Sequence, residues 1–138
     1  MNAIMKTSIY FVLVFLLAAC GSTPKAPDWQ LEAKGSMERS VAAYLEGNSR
    51  IDAAELARAR SQLSRTGRAD LLGAAELLHC ATRVASLVFE PCAGFESLRV
   101  DATPEQVAYA SYLRGQARPQ DMALLPAPRP TGKSAKSF

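Results

Sequence analysis

Few side chains in this sequence are of chemically active types at spacings that would let them act together. The single histidine, His79, stands directly before Cys80, and Cys92 follows 12 positions later. As metal ligands the set fails, because neighbouring helical residues point about 100° apart and a fourth ligand is missing. The same angle separates Cys80 from His79 as a nucleophile and its base. His79 shares a narrow polar stripe with Glu76, Arg83 and Ser86, which reads as a solvated or ion-paired surface. No G-x-S-x-G, H-E-x-x-H, phosphate-cradling glycine loop or isolated acidic pair in an apolar setting occurs. The expectation is therefore a protein that is not an enzyme, without metal or dissociable cofactor.

Arginine is the other chemically capable type. Arg50, Arg58, Arg60, Arg65 and Arg68 stand against Asp52 and Glu55 within one short stretch. Guanidinium forks suit carboxylates and phosphates alike. Arg58, Arg65 and Arg68 are thus candidates for a surface that meets an anionic partner. The plainer reading is a solvated helix face in a chain that prefers Arg to Lys.

The third cysteine belongs to a different setting. Residues 1–20 read MNAIMKTSIYFVLVFLLAAC, with Lys6 ahead of an apolar run from Ile9 to Ala19. A spanning helix needs about 20 apolar residues, so this shorter run has the form of a secretory signal segment. Leu17-Ala18-Ala19-Cys20-Gly21 resembles the lipobox of bacterial lipoproteins. The resemblance covers the first 21 residues and implies that Cys20 becomes the first residue of the mature chain. It further implies diacylglycerol on the Cys20 sulfur and an acyl chain on the new amine. Two or three acyl chains anchor firmly where one binds marginally. Gly21, in place of the Asp that resembles an inner-membrane retention signal, points to the outer membrane facing the periplasm.

An exported chain folds in an oxidising compartment, where an even pair of cysteines reads as a disulfide. Cys80 and Cys92 are that pair. Bridged Cα atoms lie within about 7 Å, so the helix carrying Cys80 must end near Leu87 for the chain to fold back.

The elements around these residues are helical. The chain has 138 residues, 49% hydrophobic and 21% charged, a composition for one globular domain. Met37, Val41, Tyr44 and Leu45 mark the apolar face of a first helix, stopped by Gly47-Asn48. A second runs from about Ile51 to Thr66, with Leu56, Ala59 and Leu63 inward and Glu55, Arg58, Gln62 and Arg65 outward. A third, about Ala69 to Val88, is apolar over most of its circumference and is expected at the centre. Gly94 to Val100 suggests a helical turn anchored by Phe95 and Leu98. The last helix starts at Thr103-Pro104 with Gln106 completing a capping box, and Gly115 ends it. Its apolar side is Val107, Ala108, Tyr112 and Leu113. The fold class is all-α: a small antiparallel bundle of about four helices, stapled by one disulfide.

The organisation follows: signal peptide 1–19, lipidated Cys20 with a tether to Lys34, helical domain 35–115, and a Pro-rich, basic, unpacked tail 116–138. Trp29, within the tether, is expected to pack on the domain, and one short turn is expected around Asp121–Leu125. Residues 20–115 carry eleven Lys/Arg and twelve Asp/Glu, net −1, while 116–138 carry four and one, net +3. With Lys6 these give the chain's +3, too little to suggest a nucleic-acid partner. The expectation is a non-catalytic binding or accessory module for an envelope protein. In plan it is similar to the lipidated helical pilotins of secretion systems, by architecture alone. The alternative is a structural tether whose basic tail meets peptidoglycan.

Overall fold

The computed structural model describes residues 25–126, so the signal segment, Cys20 and residues 127–138 lie outside it. The described chain forms α1 (Asp28–Leu45), α2 (Ser49–Ser64), α3 (Ala69–Ala85), α4 (Ala93–Glu96), a 3-10 turn (Arg99–Asp101), α5 (Pro104–Leu113) and a second 3-10 turn (Pro119–Leu124). No strand occurs among the described residues. None of the helices there is long and apolar enough to cross a membrane.

Short turns set the topology. Gly47 and Gly67 adopt left-handed φ of 77° and 67°, conformations that cost glycine nothing. They fold α1, α2 and α3 into successive hairpins. The Asn48 side chain caps α2 by accepting from the Ile51 amide at 3.2 Å. α5 starts as its sequence requires: Thr103 Oγ1 accepts from the Gln106 amide and the Gln106 side chain accepts from the Thr103 amide. The Gln106 amide also donates to the Asp70 carbonyl at 2.6 Å, which sets the start of α5 beside the start of α3.

Two apolar clusters flank α3. Ala33, Met37, Leu56, Ala59 and Leu63 meet Ala75, with Trp29, Leu71 and Leu72 packed against them. On the other side Leu77 and Cys80 meet Cys92, Phe95, Ala110 and Leu113. α3 is the central helix, because it alone lines both clusters. Phe95 is fully buried, so the short α4 acts as a plug.

The Cys80–Cys92 disulfide is formed, with Cα atoms 5.4 Å apart. α3 ends at Ala85, early enough for the chain to return.

Three expectations need correction. The tether does not extend to Lys34: α1 begins at Asp28, directly after Pro27. Trp29, Ala33, Met37 and Ser40 recur at helical spacing, and the contacts of Trp29 with the first cluster draw the helix back toward the N-terminus. The inward face of α1 is Ala33, Ser36, Met37, Ser40 and Ala43, whereas Leu45 is 65% exposed. Small residues face α2 because they permit close approach of two long helices. Tyr112 likewise points outward while Ala110 is buried. At the C-terminal side the expected short turn forms, at Pro119–Leu124, but it is packed and not free: Asp121 is buried, held by Arg118 at 3.0 Å.

Candidate functional site

The polar residues of α2 and α3 build a seam between the helices. Asp52 is buried on the inward face of α2. It accepts from Ser40 Oγ at 2.6 Å, and its second oxygen lies 3.2 Å from His79 Nε2. Eight residues further along α2, Arg60 clamps the buried Glu76 of α3 in a two-point ion pair, Nη2 to Oε2 at 2.8 Å and Nε to Oε1. Glu55, expected outward, is also buried. Arg39 approaches it from α1 at 3.0 Å and Arg58 from its own helix at 2.6 Å. The Arg39 guanidinium holds the Glu55 carboxyl below the usual carboxylate range, and Glu76 holds the Arg60 guanidinium above its usual value. Buried carboxylates persist because each has a cationic or hydrogen-bonding partner.

Gly94 completes this seam. A Cβ there would lie 1.9 Å from Glu76 Oε2 and 3.3 Å from Arg60 Nη2. The backbone of α4 therefore seats directly on the ion pair, which only a glycine allows.

His79 is mostly buried rather than a solvated surface group, with 17% of its side chain exposed. The Tyr44 ring lies 6.3 Å from it, edge-on, and the Arg83 guanidinium stacks 5.4 Å from the Tyr44 centroid. Arg83 also pairs with Glu90 at 2.5 Å. A cleft of about 210 Å³ opens beside these groups, walled by Arg60, Glu76, His79, Arg83 and the disulfide. Ser40, Asp52 and His79 invite comparison with a hydrolytic triad, but the order is wrong for it. Asp52 sits between the other two, and Ser40 is fully buried, donating to the carboxylate. A nucleophilic serine must face substrate with the imidazole as its base. The arrangement ties α1, α2 and α3 together.

The expected anionic-partner arginines do not gather into one free surface. Arg58 is engaged by Glu55 and Arg68 by Asp70 at 2.6 Å. Arg65 is exposed beside Gln62. Among the described residues, no group of three or more His, Cys, Asp or Glu is placed to hold a metal ion.

A second feature lies just past α3. Leu87 is 78% exposed and Phe89 is 74% exposed, while Val88 between them is half-buried and lines the cleft. The sequence signal was present, as three apolar residues between a helix end and Pro91. Helical spacing carries the third helix to about Val88, whereas α3 ends at Ala85 and leaves Leu87 and Val88 outside it, next to Phe89. No family model, curated protein or solved structure matches the chain.

Proposed function

We propose that this protein is an envelope lipoprotein, anchored through acylated Cys20 in the outer membrane and facing the periplasm, that acts by binding another envelope protein. One observation carries the anchoring: the apolar run of residues 9–19 closing in Leu17-Ala18-Ala19-Cys20. The non-catalytic part of the proposal is supported by the state of the polar groups. Ser40 and His79 are both engaged by Asp52, and Arg60 by Glu76, inside the bundle. The basic residues 127–138, with Arg129, Lys133 and Lys136 and no acidic residue, support a second reading as a wall tether.

The test is affinity capture of the C-terminally tagged chain from gently crosslinked envelopes, with Cys20→Ser as control, alongside mass spectrometry of its N-terminal peptide. The proposal expects a diacylglycerol-modified Cys20 and one stoichiometric protein partner that is lost or displaced in the control. An unmodified N-terminus removes the anchoring. Recovery of peptidoglycan fragments and lipid alone puts the tether first.

A further inference from the structure

The start of α1 fixes how far the bundle can stand from its anchor. Asp28, the first residue of α1, follows Cys20 by eight positions, a shorter connection than the tether expected from the sequence. Eight Cα–Cα links span at most about 28 Å when fully extended and about 16 Å as a flexible chain. Pro27, at φ −56° and ψ 147°, holds the last of them extended and leads straight into the first helical turn. α1 itself has 18 residues, a length of about 27 Å. The connection is therefore no longer than the bundle it holds, and the end of the bundle at which α1 starts is kept near the bilayer.

Four elements share that end. Trp29 from the first turn of α1, Leu63 from the last turn of α2, and Leu71 and Leu72 from the first turn of α3 meet in one apolar cluster. The Gln106 side chain brings the start of α5 to Asp70. Trp29 is half-buried there, whereas Leu31, in the same turn, is 49% exposed. Two positions apart on a helix, these side chains point about 200° from one another, so the surface that presents both is the end of α1 and not one of its sides. The α2–α3 turn beside them is closed on itself, with Thr66 Oγ1 donating to the Leu63 carbonyl at 2.6 Å and accepting from the Arg68 amide at 3.1 Å. Its tip leaves Arg65, Gly67 and Arg68 exposed. Indole rings and long-stemmed cations are the side chains that settle at headgroup depth.

We propose that this end of the bundle docks end-on against the bilayer that holds Cys20, with Leu31 and the exposed edge of Trp29 at headgroup depth and the α2–α3 turn beside them. This deepens the anchoring reading above and rests on it. The short connection selects the occupant, and charge does not. Lys25, Arg65 and Arg68 are offset by Asp28, Glu32, Asp70 and Glu105, so no cationic field gathers this end onto anionic lipid from solution. None is needed, because a short tether raises the effective concentration of the surface to about the millimolar range, where a contact too weak for free partners is populated. Arg65 has Gln62 at 3.5 Å and no carboxylate in ion-pair range among the described residues, which leaves its guanidinium to a lipid phosphate. End-on docking also sets what faces away. Tyr44, in the last turn of α1, touches His79 and Arg83, so the cleft beside them is directed away from the bilayer.

The test uses the full lipidated chain, reconstituted in vesicles of phosphatidylethanolamine and phosphatidylglycerol, with a diazirine side chain at one exposed position at a time. Leu31 and Arg65 lie at the docking end, while Leu45 and Ile51 lie at the other, where α1 finishes and α2 starts. The expected result is phospholipid crosslinked from 31 and 65 and not from 45 and 51, with yields that hold when phosphatidylglycerol is left out. Trp29 is the chain's single tryptophan, so brominated lipid should quench the emission of the unsubstituted lipidated chain, a reading that needs no variant. Equal crosslinking from both ends means that the bundle lies on its side or tumbles on its tether, and overturns the proposal. Crosslinking from 45 and 51 alone, or from none of the four with Trp29 unquenched, overturns it as well. A yield that vanishes without phosphatidylglycerol makes the contact electrostatic and overturns it in favour of a charge-selected surface. In living cells, a protein crosslinked from 31 or 65 in place of lipid makes this end a partner surface and overturns it too. In each of these cases diacylglycerol on Cys20, read by mass spectrometry, leaves the anchoring standing. An unmodified Cys20 removes both.

Discussion

At the scale of single residues, the fold depends on carboxylates that are buried and partnered. Glu76 shows how close the tolerances are, since its pair with Arg60 sits against a bare glycine backbone. Gly94→Ala should push the carboxylate off Arg60 and cost about 2–4 kcal/mol, the range for overpacking combined with an unpaired buried charge. Urea unfolding measures it. Because Gly94 and Arg60 act through the same carboxylate, the double variant Gly94→Ala, Arg60→Ala should cost much less than the sum of the singles. Additive costs would show that Gly94 acts elsewhere. The same carboxylates set the acid limit. Arg39 holds Glu55, Arg99 holds Glu96, Arg68 holds Asp70 and Arg118 holds Asp121 below their ordinary values. The unfolded chain then takes up protons first as pH falls, so this stabilisation is complete above the ordinary carboxylate range and is lost through and below it. The urea midpoint should be flat from pH 7 to about 5 and then decline. A midpoint that rises on acidification would contradict these four pairings.

At the scale of elements, how legible each piece was depended on whether its signal is local. The capping box of α5 lies within four residues, Thr103 to Gln106, and formed as read. Leu56, Ala59 and Leu63 needed only helical periodicity, and all three are buried. The cysteine pair needed only parity and an early helix end. Glu55 and Glu76 were read as surface because their partners, Arg39 and Arg60, lie on other helices, 16 residues away in each case. A charged side chain reads as exposed until its distant partner is known. The exposed Leu45 failed for the opposite reason: it fits the period, but α1 meets α2 through smaller residues, Ser36, Ser40 and Ala43. The disulfide makes one element-level prediction. It holds α4 and its buried Phe95 against α3, across a separation of 12 residues. Cys80→Ser with Cys92→Ser should cost about 2–3 kcal/mol, and reductant should lower the melting temperature of the native chain but not of the double variant. Equal sensitivity of both would mean that the bridge is absent in solution.

At the scale of the whole molecule, the chain is polarised. α1 begins at Asp28, eight positions after Cys20, and the exposed Leu87 and Phe89 sit at the end where α1 finishes. The positive charge is segregated as well, with three of the chain's cations and no acid in residues 127–138. This distribution separates the binding reading from the wall-tether reading, provided the cut is made in the right place. A truncation at residue 116 would remove more than the basic tail. The 3-10 turn Pro119–Leu124 packs against α5, and Asp121 is buried with Arg118. Loss of residues 116–138 should therefore lower the melting temperature by several degrees, since even 1 kcal/mol shifts a domain of this size by about 4–8 °C. Loss of residues 127–138 alone leaves the described fold whole and removes Arg129, Lys133 and Lys136. Circular dichroism melts of the two truncations should differ accordingly, and each can then be assayed for association with purified peptidoglycan. If the shorter deletion abolishes wall association while the melt is unchanged and the captured protein partner persists, wall contact and partner binding belong to separate parts of the chain. If the captured partner disappears with the tail while the melt is unchanged, the basic segment is part of the binding surface.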